Sequence, residues 1–426
     1  MRALGRLLIH VFFRRVEING AERLPARGPL LIVANHANGL VDGLLLLAML
    51  RRYPRFLGKA TLFRILPLKP LLRLAGVVPV YRAKDGEGTA RNDATFRTCR
   101  EMLAGGGVVA IFPEGISHDE LMLQPLRTGA ARIALGAAFD AHADELMIVP
   151  IGLAYDAKAR FRSRALVTVG APLQLEPWRA RYDADPRQAS HELTDEIGSV
   201  LRAVGPDYKT VEEAELLADI ADVAALDAGG LPRPAPLHDR EKVARSLARE
   251  DPDRLVALRE AYDTYARDLA LLGVSDEDVA AAVTPARYRR AIAWGAAKVI
   301  AAAPVALVGF VIHVVPYQLM KRLALLPKNE GVKSTVKILG SFALFTIEYI
   351  ALAALAWTRW GVPAGLAVFV LLPLAGYTTV RFAERLGAGG GLRRGYRTLR
   401  SRHATLTSVR ANRSRVVELA RSLVGE

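Results

Sequence analysis

Residues 30–43 read LLIVANHANGLVDG. The apolar run 30–34 has the length and β-branched content of a buried strand. It stops at Asn35-His36, passes through Ala37-Asn38-Gly39 as a loop and reaches Asp42, after which the apolar run 43–50 reads as a helix. A histidine just past a strand, with a carboxylate a few residues on, is how a neutral imidazole base is held near a hydroxyl. The Asp fixes the tautomer and stabilises the imidazolium that forms when the proton is taken. A His and an Asp so spaced also arise by chance, so the meaning of the pair depends on the rest of the chain.

Outward from this stretch, strands and helices alternate. Residues 16–18 followed by Asn19-Gly20 read as a short strand and turn, and 56–59 as a second short strand. Residues 77–81 form a strand with Arg82 at its end, where a guanidinium suits a phosphate but also fits a solvated strand-end charge. Residues 91–104 have helical spacing and stop at Gly105-Gly106-Gly107; Cys99 packs in that helix as a small hydrophobe. Strand 108–112 runs into Pro113-Glu114-Gly115-Ile116-Ser117-His118-Asp119, in which His118 and Asp119 read as loop-capping residues. A helix over 128–138 and strands over 147–153 and 164–169 complete the series. The pattern predicts an α/β domain with a mainly parallel sheet flanked by helices. In such sheets polar groups at strand C-termini converge on one edge, and His36, Arg82 and Glu114 all occupy that kind of position.

The set NHANGLVD, GVVPVYR, FPEGIS and IVPIG, in this order over residues 35–152, resembles the four sequence blocks of the glycerol-3-phosphate and lysophosphatidate acyltransferase superfamily. The extended third block, FPEGISHDELMLQPLRTGAARIAL, is similar to the yeast-type glycerol-3-phosphate/dihydroxyacetone-phosphate acyltransferases. The resemblance covers about the first 175 residues. It implies His36 as general base and Asp42 as its orienting partner, with Arg82, Glu114 and Gly115 holding the glycerol-phosphate part of the acceptor. The sequence departs from the common pattern twice. Five residues, not four, separate His36 from Asp42, and Ile116-Ser117 stands where many members have Thr-Arg. The phosphate would then lean on Arg82, with Ser117 in the block and Lys59 and Arg127 as helpers.

Acyl transfer from a thioester to an alcohol needs a base on the hydroxyl, donors for the tetrahedral oxyanion and a cationic grip on the acceptor. No Gly-x-Ser-x-Gly elbow is present and Cys99 lies in a helix, so direct attack without a covalent intermediate is expected. No metal-ligand cluster is evident and no cofactor is expected; acyl-CoA or an acyl-carrier protein would be co-substrate.

The formal charge of +15 points to a negatively charged partner, and 51% hydrophobic residues favour an anionic membrane surface over nucleic acid. The lone cysteine excludes an intramolecular disulfide framework. Leu4, Leu7, Leu8, Val11 and Phe12 share one face of an N-terminal helix with arginines at its ends, which suits the headgroup layer and equally a helix packed on the domain. After a helix over 189–204, residues 207–228 and 237–283 read as charged helices joined by a Gly/Pro-rich linker over 229–236.

Residues 299–320 carry no charge and are long enough to span a bilayer, but Pro304, Gly309 and Pro316 interrupt them; 338–357 and 361–380 are two further spans. Basic residues in 321–337 and in the tail from 381 favour the cytoplasmic face. The first run is therefore expected to be broken and re-entrant or interfacial, and the other two to form a hairpin.

The chain accordingly divides into an acyltransferase domain (1–205), a charged helical region (206–290), a membrane-embedded part (291–380) and a basic helical tail (381–426). The expected function is acyl transfer to glycerol-3-phosphate on the cytoplasmic face of a membrane. The alternatives are lysophosphatidate acylation and, in a different class, an inactive lipid-binding membrane protein; a nucleic-acid binder lacks aromatic interleaving.

Overall fold

The computed structural model describes residues 2–64, 69–81, 92–226, 231–281, 285–327, 330–401 and 403–425. They form two compact units, Met1–Lys209 with Pro327–Thr335, and Thr210–Leu326 with Val336–Glu426. A short piece from between the apolar runs thus folds with the first unit.

The first unit is built on eight strands: β1 (Arg15–Asn19), β2 (Leu30–Ala34), β3 (Arg55–Lys59), β4 (Val78–Val80), β5 (Val108–Ile111), β6 (Met147–Tyr155), β7 (Arg164–Val169) and β8 (Leu173–Gln174). Their order is β1-β7-β6-β2-β5-β3-β4, with β8 beside β6. β6 runs antiparallel to β7 and β8, and every other pairing is parallel. β2 lies at the centre, with Leu30 level with Val108 of β5 on one side and Met147 of β6 on the other. All five of its residues are buried, as expected of a strand covered on both faces.

The helices of this unit are α1 (Arg2–Phe12), α2 (Leu40–Met49), α3 (Lys69–Leu74), α4 (Asn92–Ala104), α5 (Gly129–Leu135), α6 (Arg179–Ala184) and α7 (Pro186–Val204). A π turn, Gly136–Asp140, extends α5. Leu31, Val33, Val109 and Ile148 face a core shared with Cys99 and Leu103 of α4, Ile133 of α5, and Leu193 and Ile197 of α7. Leu30, Ile32 and Ala34 alternate to the other face, by the two-residue period of a strand, and are equally buried.

On the N-terminal helix, Gly5 sits against Leu44 and Ala48 of α2. Arg2 donates to the Leu50 carbonyl and Arg6 to the Ala48 carbonyl at 3.0 Å, satisfying the last turn of α2. Gly5, Ile9 and Phe12 turn inward, while Leu7 and Val11 of the face read from the sequence stay exposed.

The second unit contains α8 (Val211–Ala225), α9 (Leu237–Leu247), α10 (Val256–Leu272), α11 (Asp276–Ala280) and α12 (Pro285–Leu323). Next in the chain comes α13 (Glu330–Thr335), which belongs to the first unit. A π turn, Val336–Gly340, leads from it into α14 (Ser341–Trp360), followed by α15 (Val362–Ser401) and α16 (His403–Val424). Of the expected linker, residues 227–230 lie outside the described residues and 231–236 carry no helix or strand. α16 docks on the polar helices through Arg413, which donates to Asp276 Oδ1 at 2.9 Å and to the carbonyls of Val223 and Leu226 at 3.0 and 2.9 Å.

Among the described residues, three helices are long and apolar enough to cross a membrane, over Ala286–Leu323, Gly331–Trp360 and Val362–Gly391. The first run, expected to be broken, is one continuous helix with Pro304 and Pro316 inside it. Each proline removes a backbone bond and can bend a helix without ending it.

Candidate active site

The strand β2 ends where the loop begins, and the loop is held from below. Asn35 extends the β2–β6 ladder with its side chain: Nδ2 donates to the Leu153 carbonyl at 3.0 Å and Oδ1 accepts the Leu153 N–H at 2.7 Å. His36 follows at the sheet edge, its ring stacked on Phe112 with centroids 4.0 Å apart. Its Nδ1 lies 2.9 Å from Asp42 Oδ2. An ionised carboxylate only accepts, so Nδ1 carries the hydrogen and Nε2 holds the lone pair.

The five-residue gap closes without strain because Gly39 takes φ 56°, a conformation that favours glycine. The backbone turns there, α2 starts at Leu40, and Asp42 falls in its first turn, where the helix dipole favours a carboxylate.

Asp42 is fully buried, and both oxygens are engaged. Oδ2 also accepts the Asn38 N–H at 2.7 Å, and Oδ1 accepts the Tyr155 hydroxyl at 2.5 Å. Burial, and then the charge and hydrogen bond of Asp42, push the Tyr155 hydroxyl well above the usual tyrosine range, so it stays a donor. Tyr155→Phe therefore strips one donor from Asp42 while leaving the His36 contact in place. The expected result is a loss of stability of about 1–2 kcal/mol, read in denaturant melts. A smaller fall in turnover than for a change at Asp42 itself accompanies it.

Glu114, at the end of β5, was expected on the substrate. In the structure its buried carboxylate faces three internal donors: the His36 N–H at 2.7 Å, the Gln124 N–H at 3.0 Å, and the His118 Nε2. It thereby ties the β2 and β5 loops together. Burial pulls the His118 pKa down, but the bond to Glu114 and its charge raise it more, and the net value lies above the ordinary one. A raised pKa in the folded state means that the pair stabilises fully below about pH 6.5 and loses its contribution as pH climbs through the raised value. Melting temperatures of the wild type and His118→Gln should accordingly differ most near pH 6 and converge as the pH rises through the raised value.

Ser117 Oγ accepts the Gly39 N–H at 2.9 Å, so it sits against the His36 loop. Gly115 has φ 68°, and a Cβ there would lie 2.8 Å from the Arg127 side chain, which packs over it. Lys59 ends β3, one strand beyond β5, at the same C-terminal edge. Arg82 lies outside the described residues, although β4 leads toward it beside β3.

Sequence reading missed Tyr155, Asn38 and Lys158. Lys158 Nζ donates to the Ala37 carbonyl at 3.2 Å and pairs with Asp119 at 2.8 Å, while its own carbonyl accepts Asn38 Nδ2 at 3.1 Å. The only signal for them is that the strand carrying IVPIG pairs with β2, which sends the residues after it past the end of the His36 strand.

The acyltransferase family model matches residues 15–154, which is β1 through nearly the whole of β6. An uncharacterized acyltransferase of Schizosaccharomyces pombe is 28% identical over 364 residues, covering 64% of this chain and 54% of its own length. Glycerol-3-phosphate O-acyltransferase 2 of Saccharomyces cerevisiae is 32% identical over 197 residues, 44% of this chain and 26% of that protein. 1-acyl-sn-glycerol-3-phosphate acyltransferase alpha of Ovis aries is 27% identical over 154 residues, 35% of this chain and 50% of that protein. The chain thus spans between about a quarter and about half of the length of these relatives. The stretch that the family model matches holds the His36–Asp42 pair and the Glu114 loop, and it is an acyltransferase domain similar to these glycerol-3-phosphate and 1-acyl-glycerol-3-phosphate acyltransferases.

Proposed function

We propose that the protein is a membrane-bound O-acyltransferase that moves a fatty acyl group from an acyl thioester to a hydroxyl of glycerol-3-phosphate. The observation that carries this reading is the His36 Nδ1–Asp42 Oδ2 contact of 2.9 Å at the edge of the sheet, in a domain related to known acyltransferases. With Nδ1 engaged, Nε2 takes the hydroxyl proton as the oxygen attacks the thioester carbonyl carbon. The tetrahedral intermediate collapses with cleavage of the C–S bond, and the departing thiolate receives the proton from His36. Asp42 stabilises the imidazolium between those two steps. Glu114 acts as a positioning residue, since it fixes the His36 backbone. Arg127, whose side chain is exposed over Gly115, together with Lys59 and Arg82, supplies the positive charge for the acceptor phosphate. The apolar helices hold the enzyme in the membrane that receives its product, with the catalytic domain on the cytoplasmic face.

Glycerol-3-phosphate is preferred as acceptor because the similarity to the yeast protein is stronger than that to the sheep enzyme, 32% over 197 residues against 27% over 154. The second reading, acylation of 1-acyl-glycerol-3-phosphate, rests on the latter. Membranes containing the full-length protein, supplied with acyl-CoA or acyl-carrier protein, should acylate glycerol-3-phosphate faster than dihydroxyacetone phosphate or the 1-acyl derivative. Preference for the 1-acyl derivative selects the second reading, and no transfer to any of the three overturns both.

A further inference from the structure

Residues 327–335 lie between the first two apolar helices in sequence, yet they fold with residues 1–209. Gly39 of the His36 loop packs against the Gly331 carbonyl, which a Cβ on Gly39 would approach to 3.1 Å. Ser334 is fully buried, and its Oγ donates at 2.9 Å to the Lys158 carbonyl, the same oxygen that accepts from Asn38. The piece is thus part of the wall around the His36 loop.

This packing constrains the path of the chain through a bilayer. The stretch 210–326 starts and ends at one compact unit, and a segment that leaves and rejoins the same side must cross an even number of times. Among its described residues only one helix, α12, is long and apolar enough to cross. A single complete crossing by α12 would carry Gly331 and Ser334 to the far side, away from the loop they touch.

Contacts inside the second unit lead to the same place. α12 first runs antiparallel to α15: Tyr288 meets Tyr396 with ring centroids 5.6 Å apart, and the Ala306 carbonyl accepts Thr379 Oγ1 at 2.9 Å. His313 then lies 3.2 Å from Tyr349 of α14 and against Gly376 of α15. Seven residues later Met320 is back beside Gly340, at the foot of α14. The contact with Tyr349 is made nine residues beyond Gly340 on α14, short of the hairpin tip at Gly361. Pro316 sits between the outward and return contacts. In sequence, Lys321 and Arg322 follow Met320 directly and Lys337 lies three residues before Gly340, as residues at a headgroup boundary do.

The tail adds a second parity condition. α16 is bonded to α8, α10 and α11 through Arg413 and Asn412, so the chain between α11 and α16 also crosses an even number of times. With none from α12, that number is met by α14 and α15 together.

We propose that α12 is a re-entrant segment, immersed in one leaflet through exposed side chains such as Leu307, Val311 and Val315, and that α14 and α15 form the membrane-crossing hairpin. The inference rests on the membrane part of the function proposed above but not on the reaction. Its consequence is that the His36 loop is braced by a segment whose neighbours on both sides in sequence sit in the lipid.

Accessibility mapping of the full chain in sealed vesicles of both orientations tests it. Cys99 is buried, and Cys99→Ser gives a background without cysteine. Into it go Arg97→Cys in the catalytic domain, Val332→Cys beside the brace, Trp360→Cys at the hairpin tip and Arg410→Cys in the tail, all exposed positions. A membrane-impermeant maleimide should label positions 97, 332 and 410 from one face and 360 from the other. Labelling of 332 from the face opposite to 97 shows that α12 crosses and overturns the proposal. Labelling of all four from one face of intact vesicles overturns the crossing hairpin. Recovery of the protein in the soluble fraction instead overturns the membrane reading itself. Extraction by carbonate and melting profiles of each variant confirm that the folded, inserted protein is the species labelled.

Discussion

Replacing His36 by alanine lowers acyl transfer by about 100- to 10,000-fold, the span of a lost general base, while the melting temperature changes little. The expectation rests on where the ring sits. It is half-buried at the end of a fully buried strand, stacked on Phe112, and its one hydrogen bond among the described residues is to Asp42. Its backbone N–H, which Glu114 holds at 2.7 Å, survives the substitution, so the β2 and β5 loops stay tied. The loss should fall on kcat rather than on KM for the phosphorylated acceptor, because in the proposed mechanism the imidazole acts on the hydroxyl and other groups bind the phosphate. Stopped assays over a range of acceptor concentrations read that split.

Asp42 produces the larger combined effect, and two substitutions separate its roles. Asp42→Ala strands the donors on His36, Asn38 and Tyr155 in a buried setting, which should cost about 3 kcal/mol of stability together with most of the activity. Asp42→Asn keeps one accepting oxygen. The amide settles with that oxygen toward His36 and Asn38 and its NH₂ toward Tyr155, whose hydroxyl oxygen can accept. Stability then falls by about 1 kcal/mol, but the charge that balanced the imidazolium is gone, and turnover should drop by roughly 100- to 10,000-fold. Near-normal turnover in Asp42→Asn would show that the carboxylate is only a structural acceptor, and equal stability losses in the two variants would show that the retained oxygen does not serve these donors.

Much of the first unit was legible in the sequence because its strands are short apolar runs closed by polar residues at one sheet edge. Strands expected over 30–34 and 164–169 have those limits in the structure, and the remainder shift by one or two residues. The His36–Asp42 contact was legible too, although the added residue between them is absorbed only because Gly39 accepts a positive φ. Tyr155 was not legible. It lies 113 residues from Asp42, and only the β2–β6 register brings the end of β6 over the loop. The internal use of Glu114 was hidden for a related reason, since its donors include backbone N–H groups that no side-chain pattern encodes. Gly331 and Ser334 were further out of reach. They are small residues between two apolar runs, where sequence reading sees a basic connection and not a piece of the first unit. The prolines of the first apolar run suggested a break, whereas the helix passes through both.

The most direct test of the central assignment follows the release of CoA thiol from acyl-CoA by the full-length protein and by His36→Ala, with and without glycerol-3-phosphate. Steady release is expected only when both His36 and the acceptor are present, with no stoichiometric burst in the acceptor's absence. Thiol release by His36→Ala at close to the wild-type rate in the presence of glycerol-3-phosphate would contradict the assignment.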